Sequence, residues 1–316
     1  MSVFIAKRFL AFVLTLLGTS IIIFLVMEVL PGDPAAIILG IDATEDAIAA
    51  LRQKLGLEAP LLLRYVTWIG SAATGDLGIS YAYDVPVWEL VVDRLAVTLP
   101  LALLAMALSV AAALVMGIYA AANHNRAGDV GIMAISQVGI ALPSFWVAIL
   151  LVLLFAVHLG WVSPGGFPGW RAGIGSALAA LILPALSLAL VLAAILARVT
   201  RSAVLEVLRE DFIRTARAKG LSRRAVLWRH ALRNALIPVV TIMGLQFSGL
   251  LAGTIVIENV FSLPGLGRLV FQAISNRDLI VVKSVVLILA VKVVVINFLV
   301  DLLYAVIDPR LSARDA

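Results

Sequence analysis

The sequence predicts an all-α integral membrane protein with six transmembrane helices and both termini on the cytoplasmic side. Three observations predict it. The 316 residues are 63% hydrophobic and 14% charged, whereas a soluble domain is about half apolar and a quarter charged. Long apolar runs recur six times along the chain. A bilayer core requires roughly 20 apolar residues in helical form, and in lipid the backbone must satisfy its own hydrogen bonds, so such runs are helices. The basic residues between the runs cluster on alternate connections, which sets the orientation.

The first run, Phe9 to Met27, carries no charge. It exceeds the ~7–15 apolar residues of a secretory signal, and no small-x-small cleavage site follows. It therefore reads as a retained first span, about 9–30. Residues 31–97 form a long connection with nine acidic and four basic residues. Within it, 44–55 (TEDAIAALRQKL) reads as a short helix with Thr44 as N-cap and acids in the first turn. The second span is about 98–122, with Thr98 and Pro100 suiting its start. The third is about 130–158. Residues 159–175 are rich in Gly, Pro and Trp and suit an interfacial turn. Trp68, Trp161 and Trp170 suit headgroup depth. The fourth span is about 176–197, the fifth about 236–258 and the sixth about 280–305, the last interrupted by Lys283 and Lys292. Residues 306–316 form a tail. Lys7 and Arg8, His124 and Arg126, the connection 198–235, and Arg310 and Arg314 all fall on one side, the cytoplasm by the positive-inside rule.

The composition also excludes function classes. Cysteine is absent, which rules out disulfides and thiolate metal sites, and no metal site is expected. The histidines, His124, His158 and His230, lie on different elements, and no H-E-x-x-H or G-x-S-x-G motif occurs. An intramembrane enzyme is therefore disfavoured. No G-x-x-x-x-G-K-[ST] loop occurs either. The chain is read as a transport subunit without an ATPase site of its own and without a cofactor.

The connection 198–235 carries ten basic and three acidic residues. Its composition is helical, but Gly220 interrupts it and Ser222 follows two residues later. A Gly at C′ followed by a Ser N-cap reads as one helix ending and another starting. Ala225, Trp228, Ala231 and Leu232 recur at helical spacing in the second segment. The expectation is two short helices meeting at a rigid corner. The bland alternative is a basic loop lying on anionic headgroups. The length and the defined corner favour docking of a soluble partner.

Here the chain resembles a known family. Arg214-Thr215-Ala216-Arg217-Ala218-Lys219-Gly220, followed by Leu221 and Ser222, is similar to the coupling loop of ATP-binding-cassette (ABC) importer permeases of type I, in the dipeptide and oligopeptide branch that also handles nickel and glutathione. The general pattern has Glu-Ala-Ala before the Gly and ends in Leu-Pro. Here Arg214, Thr215 and Ala216 stand in the first place and Leu232-Arg233 in the second. Leu30-Pro31-Gly32-Asp33-Pro34, Gly75-Asp76-Leu77-Gly78, Arg94-Leu95, His230-Ala231-Leu232-Arg233-Asn234-Ala235, Leu263-Pro264-Gly265-Leu266-Gly267-Arg268 and Asp308-Pro309-Arg310 are similar in the same order. The resemblance runs through nearly the whole chain and implies the type I importer fold, with a transmembrane core over 94–305. It also implies a second homologous permease chain, usually as a heterodimer. Two cytoplasmic ATP-binding subunits holding ATP and Mg, and an extracytoplasmic solute-binding protein, complete the implied assembly in the inner membrane. Nucleic acid is not an expected partner.

Intramembrane polar residues supply the remaining candidates. Gln246, Glu258, Asn259 and Lys292 are candidate pathway residues. Gln246 equally suits a bond to a neighbouring helix, and Lys283 and Asp301 suit reaching opposite interfaces. Gly244, Gly249 and Gly253 suggest close helix packing. Asp33, Asp76 and Asp84 in the acidic connection are candidates for docking the binding protein, or simply cap turns. The rival function is a proton-coupled secondary transporter relaying through Lys292, Glu28, Glu258 or Asp301.

Overall fold

Apolar side chains on every face of a helix have two places to go, a protein interior or lipid. In the computed structural model, which describes residues 2–29, 34–40, 43–54 and 56–307, long helices of this kind form a bundle. α1 spans Ser2–Val29. Three shorter helices follow: α2 (Pro34–Leu39), α3 (Glu45–Lys54) and α4 (Leu61–Ala73). α5 runs Val87–Ala122. α6 (Ala127–Ala141) is followed by α7 (Ser144–Leu151), which continues as a π-helical stretch to His158. α8 runs Ile174–Val207, and α9 is Asp211–Ala218. The short α10 (Arg223–Ala225) leads through a π-helical stretch, Val226–Ala231, into α11 (Leu232–Val260). α12 is Leu266–Ser275 and α13 Leu279–Ile307. Among the described residues the only β pairing is an isolated antiparallel bridge between Ile79 and Pro86.

Five of these helical segments are long and apolar enough to cross a membrane, and α6 with α7 makes a sixth if the bent pair is one span. The third run is thus not the single helix the sequence suggests. α6 and α7 meet at 102°. Pro143 explains the break: it lacks an N–H and drives the preceding Leu142 out of the helical region, to φ −87 and ψ 129. Pro100, Pro184 and Pro238 instead sit inside continuous helices. Pro100 does not start the second span. That helix begins at Val87, directly after Pro86. The described part of the connection 31–97 carries α2, α3 and α4. Thr44 does cap α3, accepting the Ala47 N–H at 3.4 Å.

α5 and α8 form the spine. Small residues let them approach: Ala102, Ala105 and Ala113 on α5, and Ala185, Ala189, Ala193 and Ala197 on α8, are all buried. At Gly117 a Cβ would overlap Thr200 and the carbonyl of Ala197, so that contact tolerates only glycine. α11 packs on both α8 and α13. Of the three glycines on α11, only Gly244 makes a close helix contact, against Val300. Gly253 meets Leu188 at an ordinary distance, and Gly249 faces open space.

One end of the bundle gathers basic groups. Arg8 pairs with Asp301 at 2.9 Å, joining the start of α1 to the end of α13. Ala121, Ala203, Val204, Ala235 and Val239 pack where α5 and α8 end and α11 begins. At the opposite end, connections are pinned by buried carboxylates. Asp278 caps α13 by accepting the Val281 N–H, and also accepts Ser80 Oγ at 2.6 Å and the Ala82 N–H. The 159–175 turn is held by Gly166 N–H to the Phe261 carbonyl and by Trp170 Nε1 to the Ala96 carbonyl. Lys283 and Asp301, expected only to reach the interfaces, each have a partner on another helix. Lys283 lies over the Phe24 and Trp68 rings, and Asp301 holds Arg8.

Candidate functional site at the Gly220 corner

The corner is built from backbone geometry first. α9 carries Asp211 in its first turn and Arg217 in its last, each matched to the helix dipole. Its end is a Schellman closure. The Gly220 N–H bonds the Arg217 carbonyl at 2.9 Å, and the Leu221 N–H bonds the Ala216 carbonyl at 3.3 Å. This geometry places Gly220 at φ +82, a region a side chain disfavours. Ser222 follows in an extended conformation, and its hydroxyl accepts the Ala225 N–H at 3.3 Å. Four residues, 219–222, separate α9 from α10.

Packing then makes the corner rigid. Ile213 and Ala216 on α9 bury against Val226 and Ala231 of the returning segment. Val207 and Leu208 at the end of α8 pack on the same cluster. The corner is therefore seated on both α8 and the root of α11. The outer face presents Arg214, Thr215, Arg217, Ala218, Lys219, Gly220 and Ser222, all exposed. Phe212 and Trp228 are exposed beside them, at 44% and 55%. Trp228 is a departure from the expected apolar stripe. The stretch Val226–Ala231 is π-helical, and its wider turn shifts the helical phase, so Val226 takes the inward position and Trp228 points out. The ion pair between Arg214 and Asp211 is almost fully exposed and leaves Arg214 available. Behind the corner lies a hollow of about 450 Å³ lined by Glu206, Arg209, Glu210 and Asp211 among others. A cationic knob thus stands beside an acidic recess, a contrast that summed loop charge conceals.

A second feature near the end of α8 has no counterpart in the sequence reading. Asp129 is buried and accepts Arg201 in bidentate fashion, Nε to Oδ1 and Nη2 to Oδ2. The Asn125 N–H at 2.9 Å and His124 Nδ1 at 3.3 Å complete its shell. This clamp ties α6 to α8 at Arg201, about 9 Å along the helix before α8 ends at Val207. Only the acid at the third position of α6 and the basic residue on α8 could have hinted at it.

The candidate pathway residues do not converge. Gln246 and Glu258 stand about 18 Å apart along α11 at 1.5 Å per residue. Gln246 Nε2 is buried with no hydrogen-bond partner among the described residues. Glu258 is fully buried and turned toward α5, accepting Thr98 Oγ1 at 2.6 Å and the N–H groups of Gly267 and Arg268. Asn259 donates Nδ2 to the Ile255 carbonyl at 2.8 Å and borders a polar hollow of about 420 Å³ with Tyr83, Arg268 and Gln272. Lys292 Nζ is buried with no hydrogen-bond partner among the described residues, and Glu258 is its electrostatic counterpart. Asp76 and Asp84 are both exposed on the 74–86 connection. Asp76 accepts the Gly78 N–H at 3.0 Å, and Asp84 adopts φ +53. Asp33 and the tail motif at 308–310 lie outside the described residues.

The chain is similar to known proteins over most of its length. The profile of the family described as binding-protein-dependent transport system inner membrane component matches residues 113–313, and that of the family's N-terminal part matches residues 1–102. A "Putative peptide transport system permease protein" of Brucella suis biovar 1 (strain 1330) is 44% identical over 310 residues, covering 98% of this chain and 99% of the relative. The glutathione transport system permease protein of Escherichia coli (strain K12) is 41% identical over 311 residues, with 98% and 99% covered. A solved amino acid ABC transporter chain aligns with a TM-score of 0.49 and 18% identity, over 68% of this chain and 93% of that one. With two profiles running through most of its length and relatives matched end to end, the chain belongs to the family of binding-protein-dependent transport system inner membrane components, and is a multi-pass inner-membrane permease of the ABC importer class.

Proposed function

We propose that this chain forms half of the translocation pathway of an ATP-driven importer for di- and oligopeptides, and that the Gly220 corner couples it to the ATPase. The relatives' names supply the substrate class, glutathione being itself a peptide. In this reading a second homologous permease chain completes the pathway as a heterodimer. Two cytoplasmic ATP-binding subunits hold ATP and Mg, and an extracytoplasmic solute-binding protein delivers the peptide. The end carrying Arg8, Arg201 and the corner is cytoplasmic, in keeping with the positive-inside rule. Asp76 and Asp84, at the far end, belong to the surface that meets the binding protein. Of the candidate pathway residues, Asn259, which borders the polar hollow with Tyr83 and Arg268, faces the peptide's route.

One observation carries the coupling role. The knob is fastened to α8 and to the root of α11 by a single buried cluster, while its cationic face is free for a partner. Displacing such a knob moves two spanning helices together, which is the rigid-body rocking that alternating access requires. The chain contains no cysteine, so a lone Ala218→Cys gives an unambiguous cross-linking probe. In the assembled transporter, Ala218→Cys is expected to form a disulfide with a cysteine placed on the ATPase surface, at a rate that changes with ATP. Transport in vesicles that runs on a proton gradient without ATP, or a corner that never cross-links in active complexes, would overturn the reading.

A further inference from the structure

A recess of about 390 Å³ lies between α1, α4 and the start of α13, at the end of the bundle opposite the corner. Phe24 and Glu28 of α1, Arg64 and Trp68 of α4, Tyr81 and Lys283 are among its walls. The Lys283 ammonium sits 4.4 Å from the Phe24 ring centroid and 4.1 Å from that of Trp68. Aromatic faces hold a cation in place without neutralising it. Glu28 forms an ion pair with Arg64. Among the residues lining the recess, two cations therefore face one carboxylate. Tyr81 adds a hydroxyl. Burial, with the Asp278 carboxylate nearby, pushes its phenol up to about 12.

Apolar side chains around the recess are exposed among the described residues. No residue of α4 is buried. Leu61, Leu62, Leu63 and Val66 all stand exposed on it, and Leu63 also lines the recess. Ile22, Leu25 and Val26 are exposed on the adjacent part of α1. A cationic recess between apolar walls, with Trp68 in its lining, matches an amphiphile: an anionic head with acyl chains beside it. A soluble anion would leave those walls bare.

We propose that this recess is a binding site for an anionic phospholipid, whose headgroup phosphate is held by Lys283, Arg64 and the Tyr81 hydroxyl while its chains lie along α4 and α1. The site is independent of the peptide pathway and of the ATPase contact. The lipid acts as a wedge that fixes the loosely packed α4 to the bundle.

The test uses the complete transporter with its partner subunits in detergent micelles. Phosphatidylglycerol, phosphatidylcholine and inorganic phosphate are added separately, and retained lipid and the unfolding midpoint are measured. Phosphatidylglycerol is expected to be retained saturably and to raise the midpoint, whereas phosphatidylcholine and inorganic phosphate do neither. K283Q should weaken phosphatidylglycerol binding about fivefold, the worth of one cation near a lipid surface. K283R should retain it. Should K283Q fail to assemble, Y81F makes the same comparison by removing one hydroxyl, and weakened retention is again expected. Retention of phosphatidylglycerol by K283Q or Y81F at the wild-type level would overturn the proposal. So would equal binding of phosphatidylcholine, competition by inorganic phosphate, or protection of a Leu62→Cys label by a partner subunit.

Discussion

Thr98 on α5 donates to Glu258 on α11 at 2.6 Å, and the same hydroxyl accepts the Leu266 N–H at 2.9 Å. Glu258 in turn accepts the Gly267 and Arg268 N–H groups. Two side chains thereby satisfy the first N–H groups of α12, a helix start that would otherwise lie buried and unpaired. Gly265 is required at this point, because a Cβ there would overlap the Glu258 carboxyl.

Removing that carboxylate should therefore unseat α12 rather than alter chemistry. Glu258→Ala leaves buried N–H groups without an acceptor, at about 1–3 kcal/mol for each unpaired group. Glu258→Gln keeps one acceptor oxygen and should cost less. Thermal unfolding of the purified complex checks this order. Equal stability of wild type and Glu258→Ala would remove the structural role and return Glu258 to the list of pathway groups.

Coupling at the corner should depend on backbone conformation before charge. A β-branched residue at φ +82 is strained, by roughly 1–2 kcal/mol for an L-residue in the left-handed region, and Asn tolerates it better. Gly220→Val is thus expected to uncouple ATP hydrolysis from uptake in vesicles, with Gly220→Asn closer to wild type. Arg217→Glu, which reverses an exposed charge without touching the buried cluster, should lower coupling while the chain still inserts. Wild-type uptake per ATP in both Gly220→Val and Arg217→Glu would dispose of the docking role.

The Asp129–Arg201 clamp should show strong non-additivity. Arg201→Ala strands a buried carboxylate, which costs about 3–5 kcal/mol when one partner of a buried pair is removed. Asp129→Asn with Arg201→Ala should recover part of that loss. A double-mutant cycle on unfolding gives the interaction energy directly. Additive single effects would mean that the bidentate contact contributes nothing to holding α6 on α8.

The sequence alone determined the membrane class, the places of the long helices and the turn at Gly220. Each follows from a local rule: apolar length against bilayer thickness, or the backbone preferences of a glycine and a serine two residues apart. Local rules failed where a proline acts through context. Pro143 breaks a span, whereas Pro100, Pro184 and Pro238 are absorbed by helices whose neighbours pack around them. They failed again at Trp228, where a π-helical stretch moved the expected inward residue to the surface. Only the tertiary structure decided what the intramembrane polar residues do. Glu258 finds Thr98 across 160 positions of sequence, and Asp129 finds Arg201 across 72. A buried polar group must be paired wherever the fold brings a partner, and no local pattern carries that partner's address.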